Sequence, residues 1–509
     1  MNRASRNACL PGTRKNILDD ITDHILQPIQ NTNKTIKNIV WLHGMAGSGK
    51  STIATTIAQQ FDRLGRRGAY LFFERATSDP TAVIRTIAHQ LALFDSTLCT
   101  EIHASILAKP TIMDESLEDQ VDQLLRGPLE RAAETLTGPI IIVLDALDEC
   151  GDVESRKPLL RALMKTLPNI PHIFRFLITS RLETDIKSQL EGVASDLQLE
   201  SRLEKEGMLS DVRVYLTYTL EDIRKERQLG EEWPRKEQID LLLESSEGLF
   251  IWASTMCRLI YQTPAHDLEA LLSGSSSRGI QGLDLLYATT LEKSYSWRGA
   301  SVESWNHFRS VMAVVLFSRI NPSVATVDHI LGLSGEKSSR FIVSSFSALL
   351  EHSSEHTIRP LHTSFRDYLM DGDRSEGKPW SLTSVDPERL LVGGCFQIML
   401  RQLRFNICGI TTSYKEDNDY FTTPNSRLPI SKELKYACQY WAAHLKGVQT
   451  LDNTLIQLLE TLSHYMFLFW DEVMEISQLW REARKICKEI SELIKVSHIG
   501  NRSYIKSEY

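Results

Sequence analysis

At 509 residues with 42% hydrophobic and 24% charged side chains, the chain has ordinary globular composition, and about 150 residues per domain predicts roughly three to four domains. Its 26 glycines and 17 prolines are too few for a collagen-like or low-complexity polymer, and a formal net charge of −8 argues against a polycation that coats nucleic acid. Eight scattered cysteines lack CxxC or Cys/His metal spacing and read as free thiols in a reducing compartment, so the expected location is cytoplasmic.

In chain order, residues 1–37 read as a leader with one short helix near Ile17–Leu26, and Met1-Asn-Arg-Ala-Ser-Arg6 lacks the apolar h-region of a signal peptide. From residue 38 apolar runs alternate with amphipathic stretches. Ile39–Leu42, Ala69–Phe73, Ile140–Leu144 and Ile173–Thr179 are predicted strands, with Leu197–Leu199 as a fifth. Helical spacing separates them at Thr52–Leu64, Thr81–Phe94, Leu117–Glu134 and Glu154–Leu167. Strands joined by helices of this length form βαβ units, which predicts an α/β fold: a parallel sheet with helices on both faces.

Beyond about residue 205 the chain turns almost wholly helical: Ser210–Arg227, Arg235–Ser246, Leu249–Tyr261 and Asp267–Leu272. Gly274-Ser-Ser-Ser-Arg-Gly279 reads as a linker, because small residues have nothing to bury. Helices resume at Leu283–Tyr295, Val302–Ser318, Val324–Leu331 and Lys337–Leu350, followed by a short hairpin around His352–Leu361. From Ser381 the chain is helical, looser near Ile407–Leu428. Within it, His464-Tyr-Met-Phe-Leu-Phe-Trp470 reads as helix core and Ala483–Ile494 as a helix with a solvated face. The densest apolar runs, Ile140–Leu144 and Val311–Phe317, are far shorter than the roughly 18 to 20 residues a membrane span needs. No period of the solenoid or propeller kind repeats.

Three motifs carry chemistry. Gly44-Met-Ala-Gly47-Ser48-Gly49-Lys50-Ser51 matches GxxxxGK[ST] between a predicted strand and a predicted helix. Glycines let the backbone wrap phosphates with its N–H groups, and the helix N-terminus adds its positive dipole end. Lys50 is expected on the β- and γ-phosphates, Ser51 on Mg²⁺, and Thr52 beside the nucleotide. Second, Ile140-Ile-Ile-Val-Leu-Asp145-Ala-Leu-Asp148-Glu149 is an apolar strand ending in acid. Asp145 is the expected second Mg²⁺ contact, and Asp148 or Glu149 the carboxylate that orients or deprotonates the attacking water. Third, Thr179-Ser-Arg181 ends the next strand, where Thr179 or Arg181 would sense the γ-phosphate; capping the strand or pairing with a surface carboxylate is the alternative for Arg181. An Asn-Lys-x-Asp guanine-reading motif, protein-kinase signatures and G-x-S-x-G are all missing from the sequence.

Together the P-loop, Asp145–Glu149 and Thr179–Arg181 resemble the NACHT branch of the STAND signal-transduction P-loop NTPases, in the fungal flavour with a nephrocystin-like N-terminal domain. Supporting phrases are Cys9-Leu-Pro-Gly-Thr-Arg14, Gly248-Leu-Phe-Ile-Trp-Ala253, Leu361-His-Thr-Ser-Phe-Arg-Asp-Tyr-Leu369 and Tyr436-Ala-Cys-Gln-Tyr-Trp-Ala-Ala-His-Leu445. The resemblance implies a NACHT core at 38–204, a helical domain at 205–275, a winged-helix domain at 280–375 and a C-terminal helical region at 380–509. It places His362 where a winged-helix histidine touches the diphosphate, a core histidine being the alternative, and it meets a departure at Phe250, where related proteins often carry proline.

The resemblance further implies a switch that binds ATP or GTP with Mg²⁺, rests with ADP or GDP, hydrolyses slowly and controls assembly in immune-like or self/non-self signalling. Its partners would be nucleotide, other proteins and copies of itself, with no nucleic acid or membrane. A conventional P-loop ATPase with steady turnover and a scaffold holding structural nucleotide are the alternatives. Similar proteins usually carry an effector domain before the NTPase and repeats after it, so the resemblance leads to the expectation of the central switch alone: a truncated gene model, a fragment or a stripped-down regulator.

Overall fold

The structure is a computed structural model describing residues 7–27, 37–74, 78–199, 205–263, 279–293, 301–352, 357–375, 377–409 and 430–501. The expected helix at Asp267–Leu272 and most of the Gly274–Gly279 linker lie outside the described residues, as does most of the looser stretch near Ile407–Leu428. The chain divides into two compact units: Met1–Thr290 with His362–Ser364, and Leu291–Leu361 with Phe365–Tyr509.

The first unit is built on five strands: β1 (Ile39–His43), β2 (Arg67–Phe72), β3 (Ile140–Asp145), β4 (Phe174–Ser180) and β5 (Ser195–Gln198). All pair parallel, in the order β2-β3-β4-β1-β5. Every residue of β1, β3 and β4 is buried, as a sheet covered on both faces requires. Alternation along β3 divides the core. Ile140, Ile142 and Leu144 face one apolar cluster, while Ile141 and Val143 face the other.

Helices α1 (Lys15–Leu26) and α2 (Lys50–Arg63) cover the second face. The first is covered by α3 (Val83–Phe94), α4 (Ser96–Ala108), α5 (Leu117–Val121), α6 (Gly127–Ala132), α7 (Val153–Thr166) and α8 (Thr184–Leu190), with a π-helical turn at Asp122–Arg126 joining α5 to α6. Periodicity locates α1–α3, the α5–α6 stretch and α7 to within a few residues, but α4 and α8 are absent from the expected elements. In α4 only Leu98, Ile102 and Ser105 are buried, while Leu107 is exposed, so its apolar residues do not form one clean stripe.

The unit continues into α9 (Lys205–Glu226), α10 (Lys236–Ser246) and α11 (Phe250–Gln262). The second unit is mostly helical, with an antiparallel pair Leu350–His352 and Ile358–Pro360 at the expected hairpin. Its core includes the helices Pro387–Gln402 and Lys432–Gly447. His444, fully buried, is held there by Glu388 at 2.6 Å and by Tyr436 at 2.8 Å. The aromatic run 464–470 departs from expectation: a π-helical turn at Leu462–Met466 leaves Tyr465 78% and Leu468 75% exposed, and Trp470 alone is deeply buried. One extra residue in the turn rotates the apolar stripe off the core.

Candidate functional site

The sheet register brings the strand exits to one edge. β1 and β4 end together, with His43 opposite Ser180, and Leu144 of β3 lies opposite Ile178 of β4. Gly44–Gly49 therefore leaves β1 at the same carboxyl edge where Asp145 ends β3 and Thr179 nears the end of β4. In open parallel sheets this is where ligands bind.

Within the loop, Gly47 and Gly49 have φ of 77° and 94°, the left-handed region that glycine occupies without strain. A Cβ on Gly47 would fall 2.1 Å from Cγ2 of Ile251, so only glycine lets the first turn of α11 approach. The Ile251 N–H donates to the Gly47 carbonyl at 3.3 Å. The Ser48 hydroxyl donates to the Met45 carbonyl at 2.9 Å. Lys50 donates to the Gly44 and Met45 carbonyls at 2.8 and 2.6 Å, so its ammonium lies over the loop itself. Ser51 and Thr52 follow on the first turn of α2, both half-buried.

The acidic exit is stiffly built. Asp145 has no exposed surface, and its carboxylate accepts from the Thr179 hydroxyl at 2.6 Å. That hydroxyl also accepts from the Ala146 N–H at 2.9 Å. Thr179 is thus a brace for Asp145. Ala146 adopts φ 60°, which turns the chain into the short helical turn Leu147–Glu149. Asp148 is buried, and its carboxylate accepts the Arg181 backbone N–H at 3.0 Å while pairing with the Arg181 guanidinium at 3.3 Å. Glu149 is half-buried at the end of the turn. Burial pushes the neighbouring Cys150 thiol up to about 12, which keeps it protonated and inert.

Arg181 also donates to the Thr363 hydroxyl. Beside it, His362 Nδ1 accepts from the Ser364 N–H at 3.1 Å, and Ser364 meets the Tyr287 hydroxyl at 2.8 Å. The edge accordingly gathers the loop glycines, Lys50, Ser51, Asp145, Asp148, Glu149, Thr179 and Arg181, with Thr363 next to His362 engaged by Arg181.

Two residues without an expected role belong to this edge. Arg14, at φ 59° and buried, donates to the Ser48 carbonyl at 2.6 Å and lies 4.9 Å over the Phe250 ring. Its backbone N–H donates to Asp211 at 3.2 Å. Burial holds the Asp211 carboxyl above its ordinary range. Arg156, on α7, is 2% exposed and bonded to Asp148, Glu183 and Asp185. Its signal in the sequence is phase: Arg156, Leu159, Leu160 and Leu163 are spaced as one buried helical face.

Among the described residues, no three or more His, Cys, Asp or Glu side chains gather to hold a metal by themselves, and no helix is long and apolar enough to cross a membrane. The Ser51 hydroxyl and the buried Asp145 carboxylate at the edge that also holds the glycine loop would suit a Mg²⁺ that takes its other ligands from phosphate and water. Five parallel strands, a glycine loop between β1 and α2, and an acid-terminated strand set apart from β1 by β4 define a P-loop NTPase core. Residues 12–181 match the family described as Nephrocystin 3, N-terminal.

A search of the curated proteins found no match. Among solved structures, the Walker-type ATPase PABY2304 of Pyrococcus abyssi is 12% identical, with a TM-score of 0.35 over 71% of this chain and 97% of that one. Cdc6p from Pyrobaculum aerophilum is 13% identical, with a TM-score of 0.32 over 71% and 93%. The Aeropyrum pernix ORC2 protein is 11% identical, with a TM-score of 0.30 over 79% and 97%.

Proposed function

We propose that the chain is a nucleotide-operated switch: it binds ATP or GTP with Mg²⁺, hydrolyses it slowly, and changes its assembly with the nucleotide held. The observation that carries this reading is the convergence of the glycine loop, Asp145 and the Thr179–Arg181 exit on one sheet edge. In this reading the N–H groups of Gly44–Gly49 hold the phosphates. Lys50 leaves the Gly44 and Met45 carbonyls for the β- and γ-oxygens, while Thr52 lines the site. Ser51 and Asp145 hold Mg²⁺, which when bound neutralises charge on the phosphate oxygens.

Asp148 or Glu149 is the carboxylate that orients the attacking water, and Arg181 engages the Asp148 carboxylate. Asp148 then holds Arg181 ready for phosphate charge. A switch rather than a plain turnover enzyme is favoured by the Ile251–Gly47 bond and the Arg14–Ser48 bond. Through them a movement of the loop is felt at once by α11 and by the segment before α1. Residues 205–275 are read as the helical domain and 280–375 as the winged helix, with His362 steadying the diphosphate. The resemblance of the motifs supports the reading that such a switch acts in immune-like signalling of the fungal self/non-self kind.

The test is calorimetry with MgATP and MgGTP on the full chain. Lys50→Ala is expected to show no measurable binding, and an unchanged affinity would overturn the site. Glu149→Gln is expected to bind the triphosphate yet hydrolyse it about 10²-fold more slowly. Hydrolysis at the parent rate would remove Glu149 from the mechanism. Faster diphosphate release is expected from His362→Ala, and equal off-rates would return it to a core role. Slow turnover with retained diphosphate supports the switch, whereas brisk multiple turnover supports a conventional ATPase.

A further inference from the structure

Two strand exits meet at the candidate site, and one buried side chain ties them together. Arg156 projects from the first turn of α7, which is started by the Asp152 capping box. Its Nη1 donates to the backbone carbonyl of Asp148 at 2.6 Å. Its Nε and Nη2 grip the Asp185 carboxylate side-on at 2.7 and 3.0 Å, and Nη2 also donates to Glu183. Glu183 and Asp185 lie two and four residues after Arg181. Arg181 returns to the Asp148 carboxylate through its N–H at 3.0 Å and its guanidinium at 3.3 Å. The contacts close a ring: Arg156 to Asp148, Asp148 to Arg181, and the chain from Arg181 through Glu183 and Asp185 back to Arg156.

The ring is suited to arginine and to no other side chain. A guanidinium offers five donors in a rigid plane, so it can span a carbonyl on one strand exit and two carboxylates on the other. Lysine carries the same charge on one atom and cannot bridge both. The acidic partners also explain how a nearly inaccessible arginine stays charged here, because a buried cation is tolerated when it is paired and its donors are satisfied.

We propose that Arg156 is a positioning residue that sets the spacing between the Asp148–Glu149 turn and Arg181, and thereby the rate of triphosphate hydrolysis; the role rests on the nucleotide reading above. Arg156 is too deeply enclosed to touch the nucleotide itself and acts through the backbone of Asp148 and the chain after Arg181. A displacement of roughly 1 Å at reacting groups costs on the order of 10²-fold in rate, so a partial loosening is expected to cost about 10-fold.

The experiment compares the parent, Arg156→Lys, Arg181→Gln and the double variant of the full chain, with whichever of MgATP or MgGTP the parent binds. Arg156→Lys is expected to lower kcat about 10-fold while KM changes less than about 3-fold. In the Arg181→Gln background it is expected to add less than about 2-fold, because both substitutions open the same ring. A merely structural arginine would lower the melting temperature and leave kcat per folded molecule unchanged, and that result overturns the proposal. Full additivity of the two substitutions overturns it as well. Should Arg156→Lys fail to fold, Asp185→Asn, which keeps the carboxamide oxygen as an acceptor, is expected to lower kcat at constant KM, and a parent-like kcat refutes the role. A parent that binds no nucleotide by calorimetry overturns the nucleotide reading itself. A parent that binds and turns over while every ring variant matches it overturns this proposal alone, and a parent that binds without turnover also overturns it.

Discussion

Replacing Thr179 by valine removes one hydroxyl and almost nothing else, which makes the brace on Asp145 measurable. Thr179 has no exposed surface, so water cannot repair what is lost. The donated bond to the Asp145 carboxylate at 2.6 Å is charge-assisted, and losing it costs roughly 1.5–3 kcal/mol. The Ala146 N–H, which donates to the Thr179 hydroxyl oxygen at 2.9 Å, becomes a buried unsatisfied donor at a cost of roughly 1–3 kcal/mol. The added methyl group returns about 0.8 kcal/mol. The net is a destabilisation of about 3 kcal/mol.

For a unit running through Thr290, an unfolding entropy of about 2.1 cal/mol/K per residue converts that into a fall of about 5 °C in Tm. Thermal melts and urea titrations of parent, Thr179→Val and Thr179→Ser read it directly. Serine retains the hydroxyl and is expected to lose only about 1 kcal/mol. The functional half of the prediction is a roughly tenfold loss of nucleotide affinity in Mg²⁺ that disappears in EDTA, because only Asp145, the proposed Mg²⁺ contact, has lost its orientation. Valine within about 0.5 kcal/mol of the parent would refute the brace. An affinity loss that persists without Mg²⁺ would refute its link to Asp145.

Other outcomes follow from the same geometry. Gly47→Ala is expected to destabilise by about 2–4 kcal/mol, from a left-handed backbone and a Cβ 2.1 Å from Ile251 Cγ2; adding Ile251→Ala removes that contact but leaves the Ile251 Cβ at 2.6 Å and the dihedral unchanged, so the relief is partial. Strict additivity in urea titrations would show that the two residues do not meet. Burial holds the His444 imidazole below its ordinary pKa despite Glu388 beside it. The unfolded chain therefore binds more protons than the folded one, and stability is complete above about pH 6.5 and declines as pH falls below it. The second unit's transition is expected at lower temperature at pH 5.5 than at pH 7.5, with Tyr436 and Arg319 completing the groups that face the ring; a transition that rises on acidification would show that Glu388 governs the cluster.

The central strands were legible because a strand buried on both faces must be a continuous apolar run, and Ile140–Leu144 can be little else. The place of the glycine loop between β1 and α2 was legible because its signal is local: glycines, a lysine and a hydroxyl within eight residues of sequence. Helices α4 and α8 were not, since one has a broken stripe and the other spans only Thr184–Leu190. The aromatic run 464–470 was misread because a π turn changes the phase on which helical periodicity depends.

Residue identity alone placed Asp148, Glu149, Thr179 and Arg181 at the strand exits without dividing the contacts among them. That division is a matter of hydrogen-bond partners: Thr179 spends its hydroxyl on Asp145, and Arg181 is engaged with Asp148. Such pairings join residues more than thirty positions apart. Local propensity and periodicity carry no information about them, because contacts at that separation exist only once parallel strands have set their register. The sequence by itself therefore determined the class of core and the glycine loop that follows β1, while tertiary structure decided which charged groups at the strand exits hold one another.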